Sequence, residues 1–345
     1  MNKREELLHY CGSLEQVAHV RPVIYQDGFR KGLRSIQVKN DLLEYCLMED
    51  KCLDPAYIQY RGMNLSFLSK PGLQGHDLYT TVGDRGSRSI MGGAMMTCGL
   101  EHIHGGVELE GSYYPSHGRM RATPATKVSM DACFSGDDYL LEVSGEMREA
   151  ELFGENMVLR RKVTSVCRRK EIVFHDSIEN QAFREEPLCF LYHCNFGYTF
   201  LTEQTEVWIP SLRCEPRDDD AARGLAHWNR MDPPNALAPE QVFLHRCASD
   251  GNGNTFAAAV RRDLQLGVCI RWNLKQIPGL VQWKSPASGD YALALEPTNA
   301  SFAGRAGETE KLAPLALHEN TLTFQILDGK EALDALEEEL KTLTG

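Results

Sequence analysis

Val128-Ser129-Met130-Asp131-Ala132-Cys133-Phe134 alternates apolar and polar residues, Ser135-Gly136-Asp137-Asp138 turns the chain, and Tyr139 to Val143 resumes an apolar run. A period of two with a glycine-containing turn predicts a β-hairpin, broken at Gly145. The pattern extends outward. Met157-Val158-Leu159 leads into Arg160-Arg161-Lys162-Val163-Thr164-Ser165-Val166, and Glu171 to Ile178 is another strand, ended by Glu179-Asn180. Further on, Thr255 to Val260 and Gly267 to Trp272 flank the turn Arg261-Arg262-Asp263, and Tyr291 to Leu295 and Leu322 to Leu327 complete the series. Short strands at nearly regular spacing predict an all-β sandwich or barrel.

Helices are expected only at the ends. One is read over Arg4 to Leu14, within a helical extension at 1–20. Another follows Gly329, with leucines at helical spacing and Asp328 as its cap, in a C-terminal segment 329–345. The stretch from Arg213 to Gln241, with Asp218-Asp219-Asp220 and Asp232-Pro233-Pro234, is read as a long loop. Loops of that length inside a compact unit are either functional or solvated excursions. No repeat or linker divides the chain, so residues 1–345 are expected to form one domain.

Composition narrows the function. Of 345 residues 42% are hydrophobic, enough for a sizeable core. The formal charge of −11 disfavours binding to nucleic-acid backbones. No run of roughly 18 apolar residues spans a membrane. Eleven cysteines, an odd number scattered from Cys11 to Cys269 without a CxxC pair, fit free buried thiols in a reducing compartment. With no apolar signal core after Met1-Asn2-Lys3-Arg4, the expected location is the cytoplasm.

Dinucleotide, P-loop, zincin and nucleophile-elbow motifs are missing. Four clusters remain. Glu101-His102-Ile103-His104 holds an HxH pair, which on a strand puts both imidazoles on one face as metal ligands, or else marks a polar strand end. In Ser116-His117-Gly118-Arg119-Met120-Arg121, two arginines alternate on an extended segment and share a face, as a recognition fork or an exposed basic loop. His193 sits in the aromatic strand Phe190 to Tyr198, as a satisfied core residue or a tuned acid–base group. Glu296 ends the apolar strand before Pro297, as a solvated carboxylate or a base of raised pKa.

Taken together, His117-Gly118-Arg119, Tyr192-His193-Cys194-Asn195-Phe196-Gly197-Tyr198 and Leu295-Glu296-Pro297-Thr298-Asn299 resemble the aldose 1-epimerase (galactose mutarotase-like) superfamily. The similar branch is a bacterial aldose 1-epimerase-like group of unknown function, over about Gly28 to Leu327. The resemblance implies a galactose mutarotase-like antiparallel β-supersandwich with the site on one concave face. It implies His193 as general acid, Glu296 as general base, on opposite sides of the sugar, and His117 as a sugar binder. Arg119 and Arg121 are expected substrate binders suited to an acidic or phosphorylated sugar. Asp232 is placed in the long loop as a candidate sugar contact, and Trp283 as a stacking platform. No cofactor or metal is implied, the partner is a small carbohydrate, and a homodimer is expected. Two other readings stay open: a metal-dependent sugar isomerase or lyase using Glu101, His102, His104 and His117, and a non-catalytic carbohydrate-binding protein.

Overall fold

The computed structural model describes residues 2–75 and 83–345. The opening stretch forms the predicted hairpin. Strands Thr126–Ser135 and Asp138–Ala150 pair antiparallel with Ser135 opposite Asp138. Gly136 has φ +63°, which glycine adopts without steric cost. Gly145 does not break the second strand, which runs on to Ala150. A side chain there would put its Cβ 2.8 Å from Leu53 Cδ1, so the glycine serves close packing.

Two large sheets dominate, and every ladder between the described strands is antiparallel. The eight-stranded sheet runs, in spatial order, Thr126–Ser135, Asp138–Ala150, Asn156–Val166, Glu171–Asn180, Leu317–Asp328, Leu266–Asn273, Asn254–Arg261 and Glu206–Trp208. The seven-stranded sheet runs Ser211–Pro216, Gln241–Cys247, Gly279–Ser285, Ala292–Thr298, Glu186–Phe196 and Glu310–Leu312, with Met95–Leu100 also paired to Glu186–Phe196. A five-stranded meander from Ala18 to Asn64 precedes them. One buried cluster takes Ile36, Tyr45 and Ile58 from the meander, Leu141, Val163 and Phe174 from the large sheet, and Phe190, Tyr192 and Leu295 from the other. The all-β antiparallel sandwich expected is what the described strands form.

The ends differ in detail. The first helix is Lys3–Tyr10, shorter than expected, because Cys11 is already extended and Gly12 follows; a 3₁₀ turn and the strand Ala18–Ile24 take up the rest of the N-terminal extension. The last helix, Lys330–Thr344, starts from Gly329 at φ +100° without a side-chain cap. Asp328 belongs to the preceding strand, and its carboxylate accepts from Tyr60 O–H at 2.6 Å. Leu333 and Leu336 of this helix cover Phe256 and Val260, which explains why Asn254–Arg261 reads as an unbroken apolar run: both faces are buried. No described helix is long and apolar enough to cross a membrane.

Arg161, in the middle of a basic triplet, is wholly buried between the sheets. It forks onto Asp176 (Nε–Oδ1 2.9 Å, Nη2–Oδ2 2.7 Å) and reaches Asp54 Oδ1 at 2.7 Å and Thr97 Oγ1 at 2.9 Å. Tyr192 O–H donates to Asp176 at 2.7 Å. Burial pushes the Asp54 carboxyl up to about 6 against the pull of Arg161, leaving it ionised at neutral pH.

Candidate active site

Alternation builds the site. In Glu186–Phe196 the residues Leu188, Phe190, Tyr192, Cys194 and Phe196 face the main core, so His193 and Asn195 face the other way. The next strand, Ala292–Thr298, sends Leu293 and Leu295 to the core and Glu296 to the same side as His193. Cys194 pairs with Leu295 and Leu191 with Thr298, which sets His193 across from Glu296. The strand does not stop at Glu296; it passes through Pro297, opposite Leu280, to Thr298. One strand further, Gly279–Ser285 adds Trp283. These side chains open onto a cavity of about 350 Å³.

His193 Nε2 lies 3.2 Å from Glu296 Oε1, with the glutamate 2% exposed. Two hydrogen bonds tie Asn195 to His193. The Asn195 amide N–H donates to the His193 carbonyl at 2.9 Å, which turns its carbonyl oxygen toward His193 Nδ1 at 2.8 Å. That oxygen only accepts, so Nδ1 carries a proton. Nε2 faces Glu296 Oε1 at a distance over which one further proton can pass, held as imidazole with carboxylic acid or as imidazolium with carboxylate. Burial raises the Glu296 carboxyl well above its ordinary range, with Glu240 adding repulsion. Burial also takes the His193 imidazole down to about 4. Both shifts favour the uncharged form at rest.

His117 closes the cavity from the loop side. Its ring stands edge-on to His193 at 5.4 Å between centroids, and Nδ1 is 3.5 Å from Cys98 Sγ. Its backbone is left-handed, φ +64°, and its N–H donates to the His104 carbonyl at 2.7 Å. Gly118 follows at φ +70°, where a Cβ would sit 2.3 Å from the Gly99 carbonyl oxygen and 2.6 Å from that of His102. The glycine is what lets His117 approach. Gly118→Ala is expected to destabilise the protein by about 2–3 kcal/mol, from left-handed strain plus overpacking against backbone. A urea-denaturation midpoint equal to that of the wild type would contradict this.

Other expected residues lie elsewhere. The segment after His117 is not extended: Arg119 is helical and Met120–Ala122 is a 3₁₀ turn, so the two arginines diverge. Arg119 pairs with Glu101 in a second cavity of about 610 Å³. Arg121 is 4% exposed, with its guanidinium packed close to Gly86, outside the lining of the His193 cavity. Asp232 binds the buried Lys284 Nζ at 2.7 Å and lines a different surface cleft. It anchors the loop. Trp283 does line the site, 5.8 Å from His193 between ring centroids.

The four residues considered as metal ligands do not converge. Glu101–His104 lies beyond the strand Met95–Leu100, so the two-residue spacing no longer implies a shared face. Glu101 faces the second cavity. His102 Nδ1 accepts from the Arg305 backbone N–H at 3.2 Å and its Nε2–H donates to the Gly105 carbonyl, which uses both nitrogens. Only His104 and His117 adjoin, 6.4 Å apart between ring centroids, with His104 stacked on Phe302.

Sequence reading missed Arg217 and Glu240, which also line the cavity. The 213–241 stretch is no plain loop. It holds the end of strand Ser211–Pro216 and the helix Asp219–Gly224, capped by the Asp218 side chain. Arg217 and Glu240 stand at its two ends and join across it, Nη1–Oε1 2.9 Å. Glu240 Oε2 accepts from Trp283 Nε1–H at 2.9 Å, fixing the indole.

Residues 30–326 match the model of a domain of unknown function, DUF4432. No protein of curated function matches the chain. Among solved structures, a "putative aldose 1-epimerase" from Klebsiella pneumoniae superposes with a TM-score of 0.89 at 23% identity, over 94% of this chain and 88% of that one. A galactose mutarotase-like protein from Clostridium acetobutylicum gives 0.60 at 17%, over 91% and 99%. Galactose 1-epimerase from Lactobacillus acidophilus gives 0.58 at 12%, over 90% and 99%. At these identities the likeness establishes a shared fold.

Proposed function

The chain belongs to the DUF4432 family, and from that premise and the geometry of its cavity we propose that it is a cofactor-independent aldose 1-epimerase acting on a free sugar. The observation that carries this reading is the buried His193–Glu296 pair, 3.2 Å apart at the floor of a cavity edged by Trp283 and His117. The solved mutarotase-like structures of the same fold support it.

Anomerisation opens and recloses a sugar ring. From the imidazolium–carboxylate form of the pair, which the proton reaches by passing from Glu296 to His193 Nε2, Glu296 takes the proton of the anomeric hydroxyl, the bond from the anomeric carbon to the ring oxygen breaks, and His193 Nε2–H delivers its proton to that oxygen. The pair passes from imidazolium–carboxylate to imidazole–carboxylic acid. Rotation about the next carbon–carbon bond presents the other face of the aldehyde, and the same transfers in reverse close the ring. The total stays at one proton throughout. The two groups are neighbours on one sheet face, not opposite each other across the sugar as expected. That arrangement suits the reaction, because both oxygens involved are bonded to the same carbon.

The substrate we propose is uncharged. Arg119 and Arg121, on which an acidic or phosphorylated sugar rested, lie outside the cavity. Arg217 is already bound to Asp218 and Glu240. Trp283 offers an aromatic face for the sugar's C–H side. The test is exchange NMR between α and β anomer signals over neutral aldoses, uronic acids and sugar phosphates. Faster exchange for a neutral aldose is expected. No acceleration for any sugar by the folded protein would overturn the reading and favour a carbohydrate-binding role.

The pH profile follows from the pair. Activity needs one shared proton, so it is lost when a second is bound. His193 has been brought down to about 4, so the acid limb of kcat/KM is expected near pH 4. On the alkaline side the rate falls as the pair loses its last proton. An acid limb near 6.5, the ordinary imidazole value, would show that His193 is not held in this state.

A further inference from the structure

We propose that Asn195 is the positioning residue of the site: it locks His193 in the Nδ1–H tautomer, so that the proton between Nε2 and Glu296 is the single mobile one. The assignment rests on the acid–base reading above, but its key measurement needs no substrate.

An imidazole with two free nitrogens has a choice of tautomers. With Nε2–H alone, Glu296 would receive a hydrogen bond as carboxylate and the buried pair would carry a net negative charge. With Nδ1–H, the pair is neutral as built and holds the one proton that reversible transfer needs. Asn195 selects the second state by a local device. It is two residues along the same strand, so its side chain stands on the same face as His193. Its N–H binds the His193 carbonyl at 2.9 Å, which prevents the amide from turning its donor toward the ring. Its oxygen then meets Nδ1 at 2.8 Å. Asn195 is 3% exposed, so these bonds are largely shielded from bulk water. Among the described residues, His117 and Trp283 stand edge-on to the ring at 5.4 and 5.8 Å and Glu296 lies on the Nε2 side at 3.2 Å, which leaves Nδ1 to Asn195.

The experiment is nitrogen NMR of the full-length protein labelled with ¹⁵N-histidine, with the His193 resonances identified by their loss in His193→Gln. In the wild type at pH 7, His193 is expected to show a protonated Nδ1. In Asn195→Leu, which keeps the size and removes the acceptor, that preference is expected to disappear. The anomerisation kcat is then expected to drop on the order of 10²-fold, the lower end of what a positioned acid–base group contributes, with KM little changed. Asn195→Asp keeps an acceptor against Nδ1 and is expected to retain the Nδ1–H signature; it also serves if the leucine variant does not fold. A wild-type His193 protonated on Nε2 alone would overturn the proposal, as would a signature unchanged in Asn195→Leu. If the signature behaves as expected but no sugar is anomerised, the lock stands and the assigned reaction fails.

Discussion

Glu296→Gln is expected to slow catalysed anomerisation by about 10²–10⁴-fold, the range a positioned acid–base group supplies. The effect is one of proton traffic. Glutamine has the same shape and still donates to His193 Nε2, so the cavity keeps its form. It neither takes nor returns a proton, so the ring cannot open by the paired transfer. Stability should not fall with activity. The wild-type carboxyl is 2% exposed and held well above its ordinary range by burial, an environment that disfavours its charge. An amide there is expected to leave the denaturation midpoint unchanged or higher, the sign of a residue kept for chemistry. His193→Asn should slow the same step. The measurement is exchange NMR with the sugar found active for the wild type, beside urea denaturation. Near-wild-type rates in both variants would remove the pair from the reaction.

Much of this site was legible in the strand that carries it. Leu188-Cys189-Phe190-Leu191-Tyr192-His193-Cys194-Asn195-Phe196 puts its aromatic residues at even positions, so parity alone assigns His193 and Asn195 to the opposite face. Glu296 drew attention as an acid in an apolar run, although Pro297 suggested a strand end that the fold does not have. What stayed hidden depends on where local geometry changes or distant segments meet. Arg119 and Arg121 share a face only if their segment is extended, and one 3₁₀ turn separates them. Asp232 matched by loop position, but Lys284 claims it. Arg217 and Glu240 are joined by a hydrogen bond spanning 23 residues, a pairing with no local signal. Nor does Arg160-Arg161-Lys162 announce that its middle member is fully buried; that follows from strand parity only once the inward face of Asn156–Val166 is known.

Arg161→Met should then be the most damaging single change to stability, by about 3–5 kcal/mol, the cost of breaking a buried ion pair from one side. Methionine fills much of the space, so the loss is chiefly electrostatic: Asp54 and Asp176, 1% and 0% exposed, would face each other without their cation. Thr97 and Tyr192 would remain as hydrogen-bond donors and supply no charge. The pH dependence gives the sign. A buried carboxyl whose folded pKa lies above its unfolded value favours folding when protonated and loses that advantage as pH rises through the folded pKa. Asp54 is already pushed up to about 6 in the presence of Arg161, and loss of the guanidinium moves it further up. The gap in stability between wild type and variant should therefore be wider at pH 8 than at pH 5. Adding Asp54→Asn and Asp176→Asn to Arg161→Met should recover part of the loss, since a neutral site has no charge to strand. Urea denaturation at the two pH values measures both effects. An equal gap at pH 5 and pH 8 would mean that the damage is one of packing and not of charge. The same network sets a limit on the site above it: Tyr192, bonded to Asp176, is the residue before His193 on the strand. Relaxing that anchor should loosen the register that brings His193 to Glu296, so this variant should lose activity before it unfolds.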